Sequence, residues 1–218
     1  MEHKIKTGEH GSVHYWVAGS GEESIVFTHG ATMDHGLFQY QTAFLVERYR
    51  LILWDVPGHG ASRPYDGFSL QRAAQELIGI LDAESIQKAH LVGQSMGGYI
   101  SQIVARDQPE RVISLTAVDS SPMQPSYYSS LDSWLLSITP LLLRLFPYQT
   151  LIKTIAKGIA IQEGSRAYAL ETLKTYSKAE IADIMELVYQ GVKTYGQDSA
   201  LSVPILIIVG EADRTGKV

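Results

Sequence analysis

Gly93-Gln94-Ser95-Met96-Gly97 is the most informative stretch of this 218-residue chain, because it fits the pattern G-x-S-x-G. The pattern is typical of a serine held on a sharp turn between a strand and a helix. Residues 89–92 predict a short buried strand before it, and residues 98–105 predict a helix after it. Side chains in place of its two glycines would clash where strand and helix nearly touch. We therefore predict that the serine is a nucleophile; the alternative is a glycine-rich turn whose serine caps the helix.

A serine hydroxyl is a weak nucleophile at neutral pH, so it needs a histidine as base and an acid to orient that histidine. In chains with this turn the three follow in the order serine, acid, histidine. The seven histidines of this sequence all precede Ser95, and the last of them is His90. The sequence therefore predicts most of an enzyme, with the catalytic histidine outside these 218 residues.

Composition narrows the classes of function. Apolar residues make up 45% and charged residues 19%, which is ordinary for a globular protein. With 18 basic and 23 acidic residues the net charge is −5, which argues against nucleic-acid binding and a polybasic membrane anchor. There is no cysteine, no metal-ligand cluster and no phosphate loop, so we expect neither a metal nor another cofactor. Without a leader-like start or a membrane-length apolar run, we expect a cytoplasmic protein with no membrane span.

Short apolar runs alternate with amphipathic stretches along the chain, which predicts an α/β fold: a mostly parallel central sheet with helices on both faces. The first of these runs alternates like an edge strand. Ser69 is expected to cap one of the helices. The predicted strands are residues 11–17, 24–28, 51–54, 112–118 and 204–209, and the predicted helices include residues 37–49 and 70–81.

About 80 residues separate the strands at 112–118 and 204–209, far more than the roughly 2–6 of a usual connection. Helix-like patterns recur there, at residues 131–136, 141–146 and 181–188. A helical insertion at the carboxyl end of a strand is expected to cover the active site as a cap; the alternative is a membrane-surface or oligomer helix. The predicted domains are residues 1–119, the first part of the core; 120–203, the cap; and 204–218, a core strand and acid loop.

Four loops in order resemble those of the α/β-hydrolase family, specifically its capped, esterase-like or lipase-like serine hydrolases. Each loop follows a predicted strand, and the resemblance runs from about residue 11 to residue 213. The family's last strand and helix have no counterpart here. The loops are His29-Gly30-Ala31, Asp55-Val56-Pro57-Gly58-His59-Gly60-Ala61-Ser62, the stretch around Ser95, and Val209-Gly210-Glu211-Ala212-Asp213-Arg214.

The resemblance implies a role for each matching position. Ser95 would be the nucleophile, and the backbone N–H groups of Met96 and Ala31 would form the oxyanion hole. Asp213 would be the acid of the triad, with Asp119 as the alternative, since some relatives place their acid after the preceding strand.

The histidines present are expected to be structural. His29 would shape the oxyanion loop, His59 would pack near the sheet, and His90 would be a core or surface residue. Asp55 would hold the loop that follows it. Three explanations remain for the missing base: a truncated or clipped hydrolase with a separate C-terminal fragment, a binding module, or a histidine from a second, swapped chain.

The resemblance implies a serine hydrolase that cleaves a carboxylic ester or a related acyl bond through an acyl-enzyme. A serine at the turn, rather than an aspartate, argues against dehalogenases and epoxide hydrolases, and leaves esterase, lactonase, thioesterase and carbon–carbon bond hydrolase open. The apolar cap, with Trp134 and Phe146, suggests a hydrophobic small-molecule substrate. The alternative function is a non-catalytic module that binds a small ligand on the same fold.

Overall fold

The protein is described by a computed structural model that covers residues 1–195 and 197–211. Seven strands form one sheet in the order β1-β2-β4-β3-β5-β6-β7. Strands β3 to β7 run parallel to one another, whereas β2 is antiparallel to both β1 and β4. This confirms the predicted mostly parallel sheet. The strands are β1 (Glu2–Gly8), β2 (Gly11–Ala18), β3 (Ser24–Thr28), β4 (Arg50–Trp54), β5 (Ala89–Gln94), β6 (Val112–Val118) and β7 (Ile205–Ile208).

The edge of the sheet differs from the prediction. Strand β2 is not an edge strand, because Tyr15 pairs with Lys4 of β1 on one side and with Trp54 of β4 on the other. The outer strand β1 is mostly polar and largely exposed, so its sequence lacks the apolar run on which the prediction depended.

Helices cover both faces of the sheet, as predicted. On one face Phe27 and Leu53 pack against Phe38, which lies at the start of α1. On the other face Val26 and Trp54 belong to the cluster that includes α2 and α3. The helices are α1 (Gln39–Leu45), α2 (Leu70–Ala83), α3 (Met96–Asp107), α4 (Ser130–Leu145), α5 (Tyr148–Ile159), α6 (Glu163–Lys174) and α7 (Lys178–Tyr195).

The core helices match the predictions in type and differ in length. Helix α2 begins after Ser69, whose side chain accepts a hydrogen bond from the Arg72 N–H at 3.1 Å, as expected for a cap. The helix predicted over residues 37–49 is shorter. A 3-10 turn (His35–Phe38), capped by Asp34, occupies its start, and α1 ends at Leu45.

Four helices, α4 to α7, lie between β6 and β7. The two patterns predicted at residues 131–136 and 141–146 form the single helix α4, which contains the buried Pro140. Helices α5 and α6 were not predicted from the sequence. Helix α7 packs against α4 and also against the core helices α2 and α3, so it contacts both the inserted helices and the core.

No helix within the described ranges has the combination of length and apolar character that crossing a bilayer requires.

Candidate active site

The turn between β5 and α3 holds Ser95 in an unusual backbone conformation. Its φ is 49° and its ψ is −114°, a left-handed region that residues other than glycine rarely occupy. Two contacts hold the strained residue: its N–H donates to the Val118 carbonyl at 2.9 Å, and its carbonyl accepts from the Ser120 hydroxyl at 2.9 Å. Ser95 precedes α3 without making a side-chain capping bond. The capping alternative is therefore wrong, and the hydroxyl is available for another purpose.

The glycines on either side of Ser95 are required by close packing. A Cβ at Gly93 would collide with the carbonyl group of Gly97. One at Gly97 would collide with the carbonyl of Thr28, at the end of β3. The structure thus confirms the steric reason predicted for both glycines.

A cavity of about 550 Å³ lies between the carboxyl ends of the strands and the helices α4, α5 and α7. Ala31, Ser95 and Asp119 border it from the core. Met96 is the first residue of α3, so its N–H is among those that a helix leaves without an intrahelical partner. The structure therefore brings four of the five predicted site residues together in the fold. The fifth, Asp213, lies outside the described residues.

His29 fixes the loop that contains Ala31. The side chain is fully buried, and its Nε2 accepts a hydrogen bond from the Val56 N–H at 3.0 Å. Its Nδ1 must then carry the proton and donates to the Gly30 carbonyl at 2.8 Å. Burial lowers the pKa of His29, so the ring stays neutral. Its two hydrogen bonds connect the loop after β3 with the loop after β4. With both nitrogens occupied, His29 has no free site for a proton from Ser95.

His59 is also buried and neutral. Its Nδ1 lies 3.1 Å from the Pro57 carbonyl, and its Nε2 has no partner among the described residues. Burial lowers the pKa of His59 to about 3. None of the seven histidines, all of which lie within the described ranges, borders the cavity. The structure thus offers no base for Ser95 from this part of the chain.

Asp55 organises the loop between β4 and α2. Its carboxylate accepts hydrogen bonds from the His35 N–H at 2.7 Å, from the His35 ring at 2.8 Å and from the Ala61 N–H at 2.6 Å. Burial by itself would raise the pKa of Asp55, but these hydrogen bonds outweigh it and lower the pKa. The predicted structural role of Asp55 agrees with these contacts.

Asp119 lies directly after β6, with a left-handed φ of 44°. Its N–H donates to the Ile208 carbonyl at 2.8 Å, and its carboxylate accepts from the Gly210 N–H at 2.6 Å. Asp119 therefore joins the strand ends of β6 and β7 while also bordering the cavity. Asp213 follows Gly210 by three residues in the sequence and lies outside the described residues.

Three cavity residues that the sequence analysis did not single out form a chain of hydroxyl groups. Tyr128 donates to the Pro122 carbonyl at 2.9 Å, so it accepts from Ser121 at 2.8 Å, and Ser121 in turn accepts from Tyr99 at 2.9 Å. Tyr99 lies four residues after Ser95, on the same side of the helix, which is the one signal that could have located it.

The chain belongs to the family with the α/β hydrolase fold, whose model matches residues 23–216. Over 98 residues it is 38% identical to 3-oxoadipate enol-lactonase 1 of Acinetobacter baylyi, covering 45% of this chain and 37% of that protein. Over 175 residues it is 31% identical to the pimeloyl-(acyl-carrier protein) methyl ester esterase of Yersinia enterocolitica, covering 80% of this chain and 62% of that protein.

The fold also matches a solved hydrolase of Pseudomonas aeruginosa PA01, with a TM-score of 0.76 and 17% identity, covering 98% of this chain and 83% of that one. The alignments with the two relatives named above span 37% and 62% of their lengths.

Proposed function

We propose that the protein is a serine hydrolase that cleaves a carboxylic ester or a related acyl bond through an acyl-enzyme. The observation that carries the proposal is Ser95. It is held at a left-handed φ of 49° on a strand–helix turn, makes no capping bond, and borders a cavity of about 550 Å³. A strained serine that borders a cavity at such a turn is the arrangement of a nucleophile.

In this mechanism the Ser95 hydroxyl attacks the carbonyl carbon of the substrate and forms an ester with its acyl group. The N–H groups of Met96 and Ala31 stabilise the negative charge on the carbonyl oxygen, and each such donor contributes about 3 kcal/mol. His29 supports the oxyanion hole indirectly, because the hydrogen bond that it accepts from the Val56 N–H fixes the loop that carries Ala31. Water then releases the acid product.

The base is an imidazole from outside the 218 residues, either from a following segment or from a second chain. It takes the proton of Ser95 and returns it to the leaving alcohol. Asp213 is the proposed acid that orients this imidazole. Asp119 is the alternative, and its position at the cavity and its bond to the Gly210 N–H support it. The chemistry requires no cofactor.

Ester-type substrates are favoured by the relatives. One is named as an enol-lactonase and the other as a methyl ester esterase, so both names specify cleavage of an ester bond. The residues contributed by α4, α5 and α7 are mainly apolar, among them Leu136, Leu143 and Ile155. A small hydrophobic acyl or alcohol group fits such a lining.

The test is the intact mass of the protein before and after incubation with a fluorophosphonate, together with hydrolysis of p-nitrophenyl butyrate. We expect one adduct at Ser95 and a loss of activity of at least about 1000-fold in Ser95→Ala. Ser130→Ala, at the exposed start of α4, is the matched control and should label normally. No adduct on the full-length protein, or an adduct at another residue, would refute the proposal.

The second candidate is a non-catalytic module that binds a small ligand in the same cavity. It is favoured by one observation: none of the seven histidines borders the cavity. In that case Ser95 would only donate a hydrogen bond. The ligand would still bind, and the fluorophosphonate would leave the full-length protein unmodified.

A further inference from the structure

We propose that Tyr99 and Tyr189 bind a hydroxyl group on the acyl part of the substrate, so that the protein prefers esters of hydroxy acids. This inference rests on the proposed function, because it names the substrate class of the same cavity. Three features of the molecule support it: the direction of a chain of hydrogen bonds, the position of that chain beside Ser95, and a second hydroxyl group without a partner.

The hydrogen atoms of the hydroxyl chain that includes Tyr99 all point one way. The Pro122 carbonyl can only accept, so the Tyr128 hydroxyl uses its hydrogen there, at 2.9 Å. Tyr128 must then accept from Ser121 at 2.8 Å, and Ser121 must accept from Tyr99 at 2.9 Å. Each hydroxyl has a single hydrogen. The Tyr99 oxygen, at the open end of the chain, can therefore only accept a further hydrogen bond.

This acceptor position on Tyr99 is open. The residue borders the cavity, and no group in the described ranges donates to its oxygen. Burial raises the pKa of Tyr99, so the group stays a neutral hydroxyl. A ligand with a hydroxyl or N–H group matches such an acceptor, whereas an ether or an alkyl chain has no hydrogen to donate to it.

The open end of the chain lies close to the proposed nucleophile. Tyr99 follows Ser95 by four residues, on the same side of the helix. Ser121 follows Ser120, whose hydroxyl donates to the Ser95 carbonyl at 2.9 Å. In the proposed reaction the acyl group stays bonded to Ser95 after the alcohol has left. A hydroxyl-binding position beside Ser95 therefore acts on the acyl part of the substrate.

A second phenol, that of Tyr189 on α7, also borders the cavity. Its hydroxyl makes no hydrogen bond within the part of the chain that the structure describes, so its hydrogen can be donated to a ligand. Burial and the nearby Tyr99 raise the pKa of Tyr189 to about 12, which keeps that hydrogen in place at neutral pH. An alcohol hydroxyl both donates and accepts, so it can donate to Tyr99 while it accepts from Tyr189.

The first experiment measures kcat/KM of the intact protein for methyl esters of substituted hexanoic acids. Four esters carry a hydroxyl, on the third, fourth, fifth or sixth carbon, and each is compared with its methyl ether and with methyl hexanoate. The ether keeps the oxygen and loses the donor. We expect one hydroxy ester to exceed both references by at least about tenfold, because a buried polar group without a partner is costly. Ratios within about threefold at all four positions would overturn the inference.

Two variants test the two ends of the chain. Tyr99→Phe removes the open acceptor and should reduce the ratio of hydroxy ester to ether at least about fivefold, through a lower kcat/KM for the hydroxy ester. Tyr128→Phe leaves Ser121 without its acceptor. The Ser121 hydrogen can then turn to Tyr99, and the Tyr99 hydrogen to the cavity, so kcat/KM for the ether should rise. A general loss of structure would not produce that rise.

Tyr40→Phe is the matched control, because Tyr40 is exposed on α1 and does not border the cavity. It should keep the wild-type ratio of hydroxy ester to ether. A wild-type ratio in Tyr99→Phe would refute the role of the Tyr99 oxygen. An unchanged kcat/KM for the ether in Tyr128→Phe would refute the direction of the chain.

Binding separates this inference from the proposed function. Calorimetry on Ser95→Ala with each hydroxy ester and its ether measures selection without turnover. If the intact protein hydrolyses no ester but a hydroxy ester binds at least about fivefold more tightly than its ether, the proposed function fails and the selection stands. If hydroxy esters and ethers are hydrolysed and bound equally well, the selection fails and the hydrolase stands.

Discussion

Two buried histidines, His29 and His59, make the loops after β3 and β4 sensitive to acid. Neither ring is exposed, and each has a nitrogen facing a backbone carbonyl. Burial lowers both pKa values, that of His59 to about 3. The folded protein therefore keeps these rings neutral at pH values at which an unfolded chain has already protonated them.

We predict that the free energy of unfolding decreases as the pH falls below about 6.5, the ordinary pKa of histidine. In that range the unfolded state binds protons that the folded state does not, so acid favours unfolding. For His59 the loss continues down to its folded pKa of about 3. Each of the two rings contributes up to about 1.4 kcal/mol per pH unit within its window. Urea unfolding at pH 7, 6 and 5 measures the slope.

His59→Gln is the test variant, because it removes one of the two groups. The variant should reduce the slope of the free energy of unfolding against pH by up to about 1.4 kcal/mol per pH unit. This expectation holds whatever the substitution does to stability at pH 7. Ser130→Ala, at an exposed position without a titratable side chain, is the control and should keep the wild-type slope. A slope in His59→Gln equal to that of the wild type would contradict the assignment.

Among the secondary-structure elements, α4 has a start that its own sequence specifies. Ser129 accepts a hydrogen bond from the Asp132 N–H at 3.2 Å, and the Asp132 carboxylate accepts from the Ser129 N–H at 2.8 Å. This reciprocal capping box satisfies backbone groups that would otherwise lack partners. It sets the first turn of a helix that forms one wall of the cavity.

We predict that Ser129→Ala destabilises α4 by about 1 kcal/mol, the usual cost of losing a cap. Amide hydrogen exchange should become faster in the first turns of α4 and remain unchanged in the buried strands β3 and β4. Ser130→Ala is the control, because Ser130 is exposed and its side chain is not part of the capping box. Equal protection of α4 in both variants would show that the box does not hold its start.

The sequence predicts those elements whose patterns are local. Strands β3 and β6 were predicted at their observed bounds because each is a nearly continuous apolar run. Strand β1 was missed, since its polar residues are held in place by pairing with β2 and by contacts such as that of Lys4 with Glu84 at 3.0 Å. Helix α6 was missed because its apolar face is weakly marked. Such elements depend on partners far away in the chain.

The same distinction applies to the candidate site. The Ser95 turn is recognisable because its glycines are required by contacts within a few residues and at the neighbouring strand β3. The bond from the Val56 N–H to His29 joins residues far apart in sequence, and the Tyr99–Ser121–Tyr128 chain links α3 to the segment after β6. No local pattern predicts these contacts.

In the molecule as a whole, α7 links the inserted helix α4 to the core helices α2 and α3. Its residues Met185 and Tyr189 border the cavity, whereas Gly191 lies against Leu70 of α2. A Cβ at Gly191 would come within 2.7 Å of a Leu70 methyl group. The glycine thus permits the close approach of α7 to α2, and this approach sets the position of the cavity wall that α7 contributes.

We predict that Gly191→Ala destabilises the protein by about 1–3 kcal/mol, because overpacking outweighs the better helix propensity of alanine. It should also raise KM for the ester, since α7 carries part of the cavity wall. Leu70→Ala by itself should cost about 2–5 kcal/mol. The double variant should be more stable than the sum of the single effects implies, by about 0.5–3 kcal/mol.

A double-mutant cycle by urea unfolding measures this coupling. Gly164→Ala is the matched control, because a Cβ there meets only the Tyr40 hydroxyl at 3.8 Å, so it should be neutral or slightly stabilising. Additivity within about 0.3 kcal/mol would contradict a direct contact between the two positions.

Because α7 packs against both α4 and the core helices α2 and α3, it also defines where this protein can be recombined with its relatives. Helices α4, α5 and α6 follow one another between Val118, where β6 ends, and Lys178, where α7 begins. They therefore form one continuous segment, a cassette that can be exchanged as a unit. Helix α7 is not part of this cassette, because it packs against α2 and α3. A chimera could acquire a new substrate range by exchanging that cassette alone, provided that the incoming α4 fits the face of the resident α7.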